Sequence, residues 1–265
     1  MFPFPFSAAF SLFSVALFRL LQKSATALGF SFDILGMDTK WEGLGSKITM
    51  LTDYLKDVDG DEIVLFVDAF DVLLLPDAKL IRERFADNFT GAKVVLSGEK
   101  ACSPDKSSKF VFPGLDYGKP FQFLNSGSYV GLVKHVRFML EDVTADIAEH
   151  HSYTGASPLA LDDQRWFTRY YLRNPGVAAM DVDGVLFHTL HDIDPEELTV
   201  NKNDRGEVQG FTSAVTHTSP CLIHGNGNGL DTFHVLVDRI VGEGFPPGVT
   251  EAEKLGGATT SGLVR

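Results

Sequence analysis

Ile63-Val64-Leu65-Phe66-Val67-Asp68-Ala69-Phe70-Asp71 is the stretch on which the reading of the fold turns. Five consecutive apolar residues of β-branched and aromatic type predict a strand covered on both faces, as in a parallel sheet, because a strand with one wet face alternates polar and apolar positions. The run stops at Asp68, and a second carboxylate follows three residues later. Two acids on a tight turn at a strand end can converge on one hard cation, and such a cation can hold a diphosphate against an acidic protein. An Asp at a strand end is also an ordinary turn and capping residue, and the pattern alone leaves both readings standing.

Working outward, residues 30–35 read as a short strand closed by Gly36, and Ser46 caps a helix whose Ile48, Leu51 and Leu55 form an apolar stripe. Downstream, 77–89 reads as a helix and 93–97 as a second buried strand. A long loop follows over 102–120. Residues 121–133 carry a strand interrupted by Asn125-Ser126-Gly127, and helices follow over 134–150 and 162–172. Short strands are expected over 177–180, 185–190 and 221–223. This alternation predicts an α/β domain with a mixed, mostly parallel sheet flanked by helices and with ligands gathered at strand ends. After Ile240 the residues turn to Gly, Pro, Thr and Ser, which predicts one domain over 1–240 and a loose tail over 241–265.

Composition narrows the partners. With 44% hydrophobic and 22% charged residues, the 265-residue chain is of the compact folded class, which excludes disorder and collagen-like repeats. Thirty-five acidic against 23 basic residues give a net charge of -12, which argues against a nucleic-acid backbone or an anionic membrane as partner. Two cysteines, Cys102 and Cys221, cannot make a disulfide framework, although one bridge between them stays open. Residues 2–18 carry no charge, and two readings compete there: the apolar part of a secretory signal, or an amphipathic helix with Phe10, Phe13 and Leu17 on one face and Gly29 as its stop. No segment elsewhere is apolar enough to span a bilayer.

Four further constellations can carry chemistry. His224-Gly225-Asn226-Gly227-Asn228-Gly229 follows the short apolar run Cys221-Leu222-Ile223; glycines there let backbone amides approach a phosphate, and the imidazole can add a nitrogen ligand to a cation. A flexible linker is the competing reading. Asp162-Asp163-Gln164 opens an amphipathic helix, where the acids either cap it or orient an acceptor hydroxyl. Asn125-Ser126-Gly127 is either a bulge or a polar set that hydrogen-bonds a sugar. Lys47, after Trp41-Glu42-Gly43-Leu44-Gly45-Ser46, either faces solvent or neutralises part of an anionic donor. Two weaker matches are set aside. Asp181-Val182-Asp183-Gly184 lacks the strong preceding strand of a phosphatase signature, and Asp57-Val58-Asp59-Gly60-Asp61-Glu62 has its Gly too early for an EF-hand.

Taken in order, Trp-x-Gly-x-Gly-x-Lys, Phe-Val-Asp-x-x-Asp, Ser-x-Glu near Cys-x-Pro, Leu-Asn-Ser-Gly, Asp-Asp-Gln and Pro-x-x-x-His-Gly-Asn-Gly resemble the glycosyltransferase domain of the procollagen lysyl hydroxylases, the procollagen galactosyl/glucosyltransferases. The resemblance runs from about Phe18 to Gly227. It implies a Rossmann-like nucleotide-diphosphosugar transferase fold of GT-A type, a Mn²⁺ cofactor, a UDP-sugar donor and a hydroxylysine-bearing acceptor. It also implies the lumen of the endoplasmic reticulum as location, with the cytoplasm left open. By the same resemblance Asp68, Asp71 and His224 are metal ligands, and Phe70 stands near the uracil where the family usually has Tyr. Lys47 lies on the donor side, Gly225, Asn226 and Gly227 lie over the diphosphate, and Asn125, Asp162, Asp163 and Gln164 form the acceptor-side cluster. Three departures accompany it. The family opens with a strand whose Thr-rich end contacts the nucleotide, and here Phe- and Pro-rich residues lead directly into a helix, so either that strand is lacking or this N-terminus is not the natural one. Cys102-Ser103-Pro104 has no aromatic residue after its Cys. None of the eight His begins a His-x-Asp triplet, so no iron-binding hydroxylase centre is expected in this sequence.

Overall fold

The computed structural model describes residues 18, 21–22, 24–26, 28–30, 32–36, 42–75, 78–112, 118–154, 162–242 and 261–264. Its main sheet has six strands in the order β1 (Phe32–Leu35), β11 (Ser261–Val264), β2 (Ile63–Val67), β5 (Phe123–Leu132), β4 (Val94–Glu99) and β6 (Ala178–Asp181). β1, β2, β4 and β6 share one direction, while β5 and β11 run against them. The sheet is therefore mixed, and both neighbours of β2 are antiparallel to it. Its uninterrupted apolar run reports cover on both faces rather than strand direction: Val64 and Phe66 join the core on one face, Leu65 and Val67 the core on the other.

The first face is covered by α1 (Ser46–Leu55), α3 (Val133–Thr154) and α4 (Asp163–Arg173), which bury Leu51, Met139 and Trp166 among others. The second carries α2 (Ala78–Asn88) through Ile81, together with the helical residues around Leu21 and Ala25. That helical turn ends at Gly29, whose φ of +77° suits a residue without a Cβ. Residues 1–17, and with them the question of a leader, lie outside the described residues.

A second sheet orders β3 (Val72–Leu74), β10 (Leu222–His224) and β7 (Phe187–Thr189). It packs with α5 (Leu230–Gly242) and the hairpin β8 (Leu198–Lys202) and β9 (Val208–Ser213) into a third apolar cluster. The two sheets meet at the turn 68–71, which connects β2 to β3.

Two expectations change. Asn125-Ser126-Gly127 does not end its strand: β5 runs through it, and the register to β4 jumps from Leu96↔Tyr129 to Ser97↔Asn125, a bulge over the intervening residues. The tail beyond 240 is not loose throughout, because α5 reaches Gly242 and residues 261–264 pair with β1 and β2. Composition missed this because backbone groups pair whatever the side chains are. Both cysteines are free, Cys221 buried and Cys102 half-buried, so they form no bridge. Among the described residues no helix is long and apolar enough to cross a membrane.

Candidate functional site

The site is assembled by two strand registers. β2 delivers Asp68, whose backbone N–H donates to the Gly127 carbonyl at 2.8 Å and so fixes the turn against the bulge of β5. β3 leaves the same turn and pairs antiparallel with β10, His224 opposite Val72. That register sets Asp71 beside His224, with Nε2 of the imidazole 3.3 Å from Asp71 Oδ2 and 3.9 Å from Asp68 Oδ2. One ligand atom from each of Asp68, Asp71 and His224 lies within 4.8 Å of the other two. Asp71 and His224, 153 positions apart in the chain, thus share one cluster.

Behind the imidazole stands Asn125. Its Oδ1 lies 3.2 Å from His224 Nδ1 and also accepts the Gly127 N–H at 3.0 Å. A proton on Nδ1 donated to Asn125 leaves the lone pair of Nε2 facing the two carboxylates, the tautomer that a metal ligand needs. Asn125 is thus an orienting group for His224. The space is made by Gly127: a Cβ there would stand 2.2 Å from Cε1 of His224 and 2.9 Å from Oδ2 of Asp68. Two carboxylates, one imidazole and a cradle without side chain fit a divalent cation of the Mg²⁺ or Mn²⁺ kind.

Charge around the cluster is strongly coupled. Lys47, in the first turn of α1, places Nζ 2.6 Å from Asp68 Oδ1 and 3.7 Å from Asp163 Oδ2. Burial works to lower its pKa, but Asp68 and Asp163 outweigh it and hold the ammonium charged well above the ordinary lysine range. For Asp71, burial pushes upward and the neighbouring His224 and Lys47 charges pull harder, so its pKa falls. His224 shifts upward, the pull of Asp71 and Asp68 exceeding the effect of burial. Asp163 is raised by burial, with Lys47 and the Ser126 hydroxyl acting against the shift. A solvated Lys47 is excluded by this geometry.

The acidic pair at 162–163 divides its roles. Asp162 caps α4, its Oδ1 accepting from Gln164 N–H at 3.0 Å. Asp163 is buried and faces Lys47. Gln164 presents no free amide to a sugar: Oε1 accepts from Ser126 N–H, and Nε2 donates to Glu99 Oε1 at 2.6 Å and to the Ser103 carbonyl at 2.9 Å. It braces the bulge instead of reading hydroxyls.

Glu99, the acid of the Ser-x-Glu motif, joins the site although the motif alone assigns it no role. It ends β4, is 3% exposed, and bonds Gln164 through one oxygen and Asn226 Nδ2 (2.8 Å) through the other. Burial lifts its pKa to about 7, with those bonds opposing the rise. Its signal in the sequence is an acid just beyond a buried apolar run, a pattern it shares with Asp68.

The glycine loop is likewise knit into the protein. Gly225 donates its N–H to the Asp71 carbonyl at 2.7 Å, and a Cβ on it would strike Phe233. Asn226 Oδ1 accepts from the N–H groups of Leu190 and His191. Gly227 has φ +58° and packs against the His191 ring, which rules out a flexible linker. Phe70, half-buried at the turn, lies with its ring 5.8 Å from Phe18.

Among known protein families, residues 14–240 match the PLOD GT domain. The chain belongs to the PLOD glycosyltransferase domain family. Its relatives include the procollagen-lysine,2-oxoglutarate 5-dioxygenase of Drosophila melanogaster, 31% identical over 217 residues, covering 79% of this chain and 28% of that protein. The multifunctional procollagen lysine hydroxylase and glycosyltransferase of Caenorhabditis elegans is 28% identical over 224 residues with the same coverage. Human multifunctional procollagen lysine hydroxylase and glycosyltransferase LH3 is 26% identical over 220 residues, 77% of this chain and 27% of its own length. The chain therefore spans little more than a quarter of these relatives. Among solved structures, mouse xyloside xylosyltransferase 1 aligns with a TM-score of 0.40 at 15% identity, over 82% of this chain and 73% of that one. In this PLOD-type glycosyltransferase domain, Asp68, Asp71 and His224 form the polar centre, with Lys47 and Asp163 beside it.

Proposed function

We propose that this domain is a Mn²⁺-dependent hexosyltransferase that moves a hexose from a UDP-sugar to a hydroxyl acceptor, the hydroxylysine or galactosyl-hydroxylysine of a collagen-like chain. The observation that carries the reading is the convergence of Asp68, Asp71 and His224 within 4.8 Å in a chain of the PLOD glycosyltransferase family. Asp68, Asp71 and His224 would hold a divalent ion, which would supply positive charge to a donor diphosphate. Asp68 and Asp71 offer carboxylate oxygens to the ion, and Asn125 keeps the His224 Nε2 lone pair turned toward the same point. Lys47 adds a fixed positive charge beside the site, which lowers the cost of bringing a diphosphate into a chain of net charge -12. Asp163, buried with its pKa raised, accepts a hydrogen bond from the acceptor hydroxyl and orients it for transfer. The collagen-like acceptor is in keeping with the names of the relatives, and a location in the endoplasmic reticulum lumen is part of the same proposal.

UDP release and hexose transfer, measured with and without Mn²⁺ on a hydroxylysine-containing peptide, test the reading. Metal-dependent UDP release coupled to transfer is expected. Nucleotide binding without turnover would overturn it in favour of a binding domain, and phosphate release from simple esters in favour of a phosphohydrolase.

A further inference from the structure

Lys47 reaches the site from the first turn of α1 and stands between two acids that belong to different parts of it. Its Nζ pairs at 2.6 Å with Asp68 Oδ1, the oxygen of that carboxylate on the far side from the one that approaches His224. Asp163 Oδ2 lies 3.7 Å from the same ammonium, beyond hydrogen-bond reach, and accepts no hydrogen bond from any described residue although its side chain is only 4% exposed. A buried carboxylate oxygen without a donor is costly, so native proteins rarely keep one without a use for it. Ammonium–carboxylate bonds close at about 2.7–2.9 Å, and a movement of Nζ by about 1 Å would complete this one. The flexible four-carbon stem of lysine can make such a movement while α1 stays in place.

Which acid holds the ammonium depends on the charge left at Asp68. In the metal-free cluster Asp68 offers its full charge at contact distance, and Asp163 is the weaker neighbour. Once Asp68, Asp71 and His224 share a divalent ion, Lys47 faces a centre that no longer attracts it on one side and the unpartnered Asp163 oxygen on the other. At separations of about 4 Å, and an effective dielectric constant of about 20, unit charges interact well above thermal energy, enough to reverse the preference.

We propose that Lys47 is a two-position switch whose ammonium rests on Asp68 in the metal-free protein and crosses to Asp163 when the cluster takes up a divalent cation. The Lys47–Asp68 contact is then a lock that a cation must displace, and Asp163 gains its donor only with the cation in place. Cation loading and the acceptor side of the site are thereby coupled, each changing the other's affinity by the same factor. That coupling rests on the reading of Asp163 as the acceptor-side acid, whereas the switch itself rests on the cluster alone. The competing arrangement is a Lys47 that stays on Asp68 and steadies it as an outer partner, in which case its loss weakens metal binding.

The test uses the full chain and the metal alone. NMR coupling across the hydrogen bond, from Lys47 Nζ to the carboxylate Cγ that it contacts, is expected to identify Asp68 without metal and Asp163 at saturating Mg²⁺. Coupling to Asp68 in both states overturns the proposal. Lys47→Met removes the group that a cation must displace, so Mn²⁺, followed by the electron paramagnetic resonance signal of the free ion, is expected to bind at least about five-fold tighter. Equal or weaker binding overturns the switch in favour of the outer partner. Asp163→Ala removes the second position, and Mn²⁺ is expected to bind about five-fold more weakly, with the coupling left on Asp68 when Mg²⁺ is added; unchanged binding overturns the proposal. Should either variant fail to fold, the coupling measured in the unsubstituted protein decides by itself. These readouts use no nucleotide and no acceptor, so a failed switch in a protein that still binds Mn²⁺ leaves the glycosyltransferase reading intact, and a protein that binds no Mn²⁺ overturns both.

Discussion

Gly127→Ala replaces a hydrogen with a methyl group at a point where the site has little room. The new Cβ would stand 2.2 Å from Cε1 of His224 and 2.9 Å from both His224 Nδ1 and Asp68 Oδ2. Non-bonded carbons rest at about 3.5 Å, so the imidazole must retreat by about 1.3 Å, the difference between 3.5 and 2.2. Metal–ligand distances tolerate about 0.2 Å, so a shift of that size removes the ligand instead of stretching its bond. The ring has no easy retreat, being 3% exposed and bonded to Asn125. Overpacking of this kind costs roughly 1–3 kcal/mol of stability, whereas metal affinity should drop at least as far as on loss of an outer partner, about 10–100-fold. Titration with Mn²⁺, followed by the electron paramagnetic resonance signal of the free ion, reads the affinity, and urea unfolding reads the stability. A folded Gly127→Ala protein that binds Mn²⁺ as tightly as the unsubstituted one would refute both the cradle and the ligand assignment.

Asn125→Ala should weaken Mn²⁺ binding about 10–100-fold while leaving the cluster's three ligands in place, since only the orientation and tautomer of His224 are released; an unchanged dissociation constant in calorimetry would count against that role. Lys47→Met leaves Asp163 and Asp68 without their buried counter-charge, so the metal-free protein should lose roughly 3–5 kcal/mol. Added Mn²⁺ should then raise Tm by more than it does in the unsubstituted protein, and an equal or smaller rise would contradict the account. Glu99 has a folded pKa of about 7 against an ordinary 4.5, so the folded state holds a proton that the unfolded chain has released. Stability from this group therefore falls as pH rises from about 4.5 to 7, by up to roughly 3 kcal/mol, and is flat above. Glu99→Gln should remove that slope in urea unfolding at pH 5 and pH 8, and a slope that persists would place its origin elsewhere.

What the amino-acid sequence disclosed depends on how local each cause is. The run 63–67 and its terminal Asp are local: burial on both faces demands consecutive apolar residues, and the chain must turn where they stop. Helix starts such as Asp162 are local as well. Strand pairing is not. Val72–Leu74 is three residues long, too short to carry a period, and becomes a strand by lying against Leu222–His224, whose short apolar run the sequence does show without showing its partner. Gly127 reads as a bulge glycine until His224, 97 positions away, is packed onto it. Glu99 shares the strand-end pattern of Asp68, but only the amides of Gln164 and Asn226 show that its carboxylate is buried and used.

The same distinction separates the two sides of the site. Asp68 and Asp71 are held by one turn, and a change in either strand beyond it moves both. His224 reaches them only through the register of β10 on β3, and a slip by one residue would turn the imidazole to the opposite face. Hydrogen bonds from outside the strands resist such a slip. Gly225 donates to the Asp71 carbonyl, and Leu190 donates both to the His224 carbonyl and to the Asn226 side chain, clamping β10 between β3 and β7 at the residue that matters. Asn226 therefore serves the metal centre through the backbone that presents His224, and the glycines flanking it are required by close packing on Phe233 and His191 before any phosphate is considered. The glycine-rich loop is first a device for holding a three-residue strand in register.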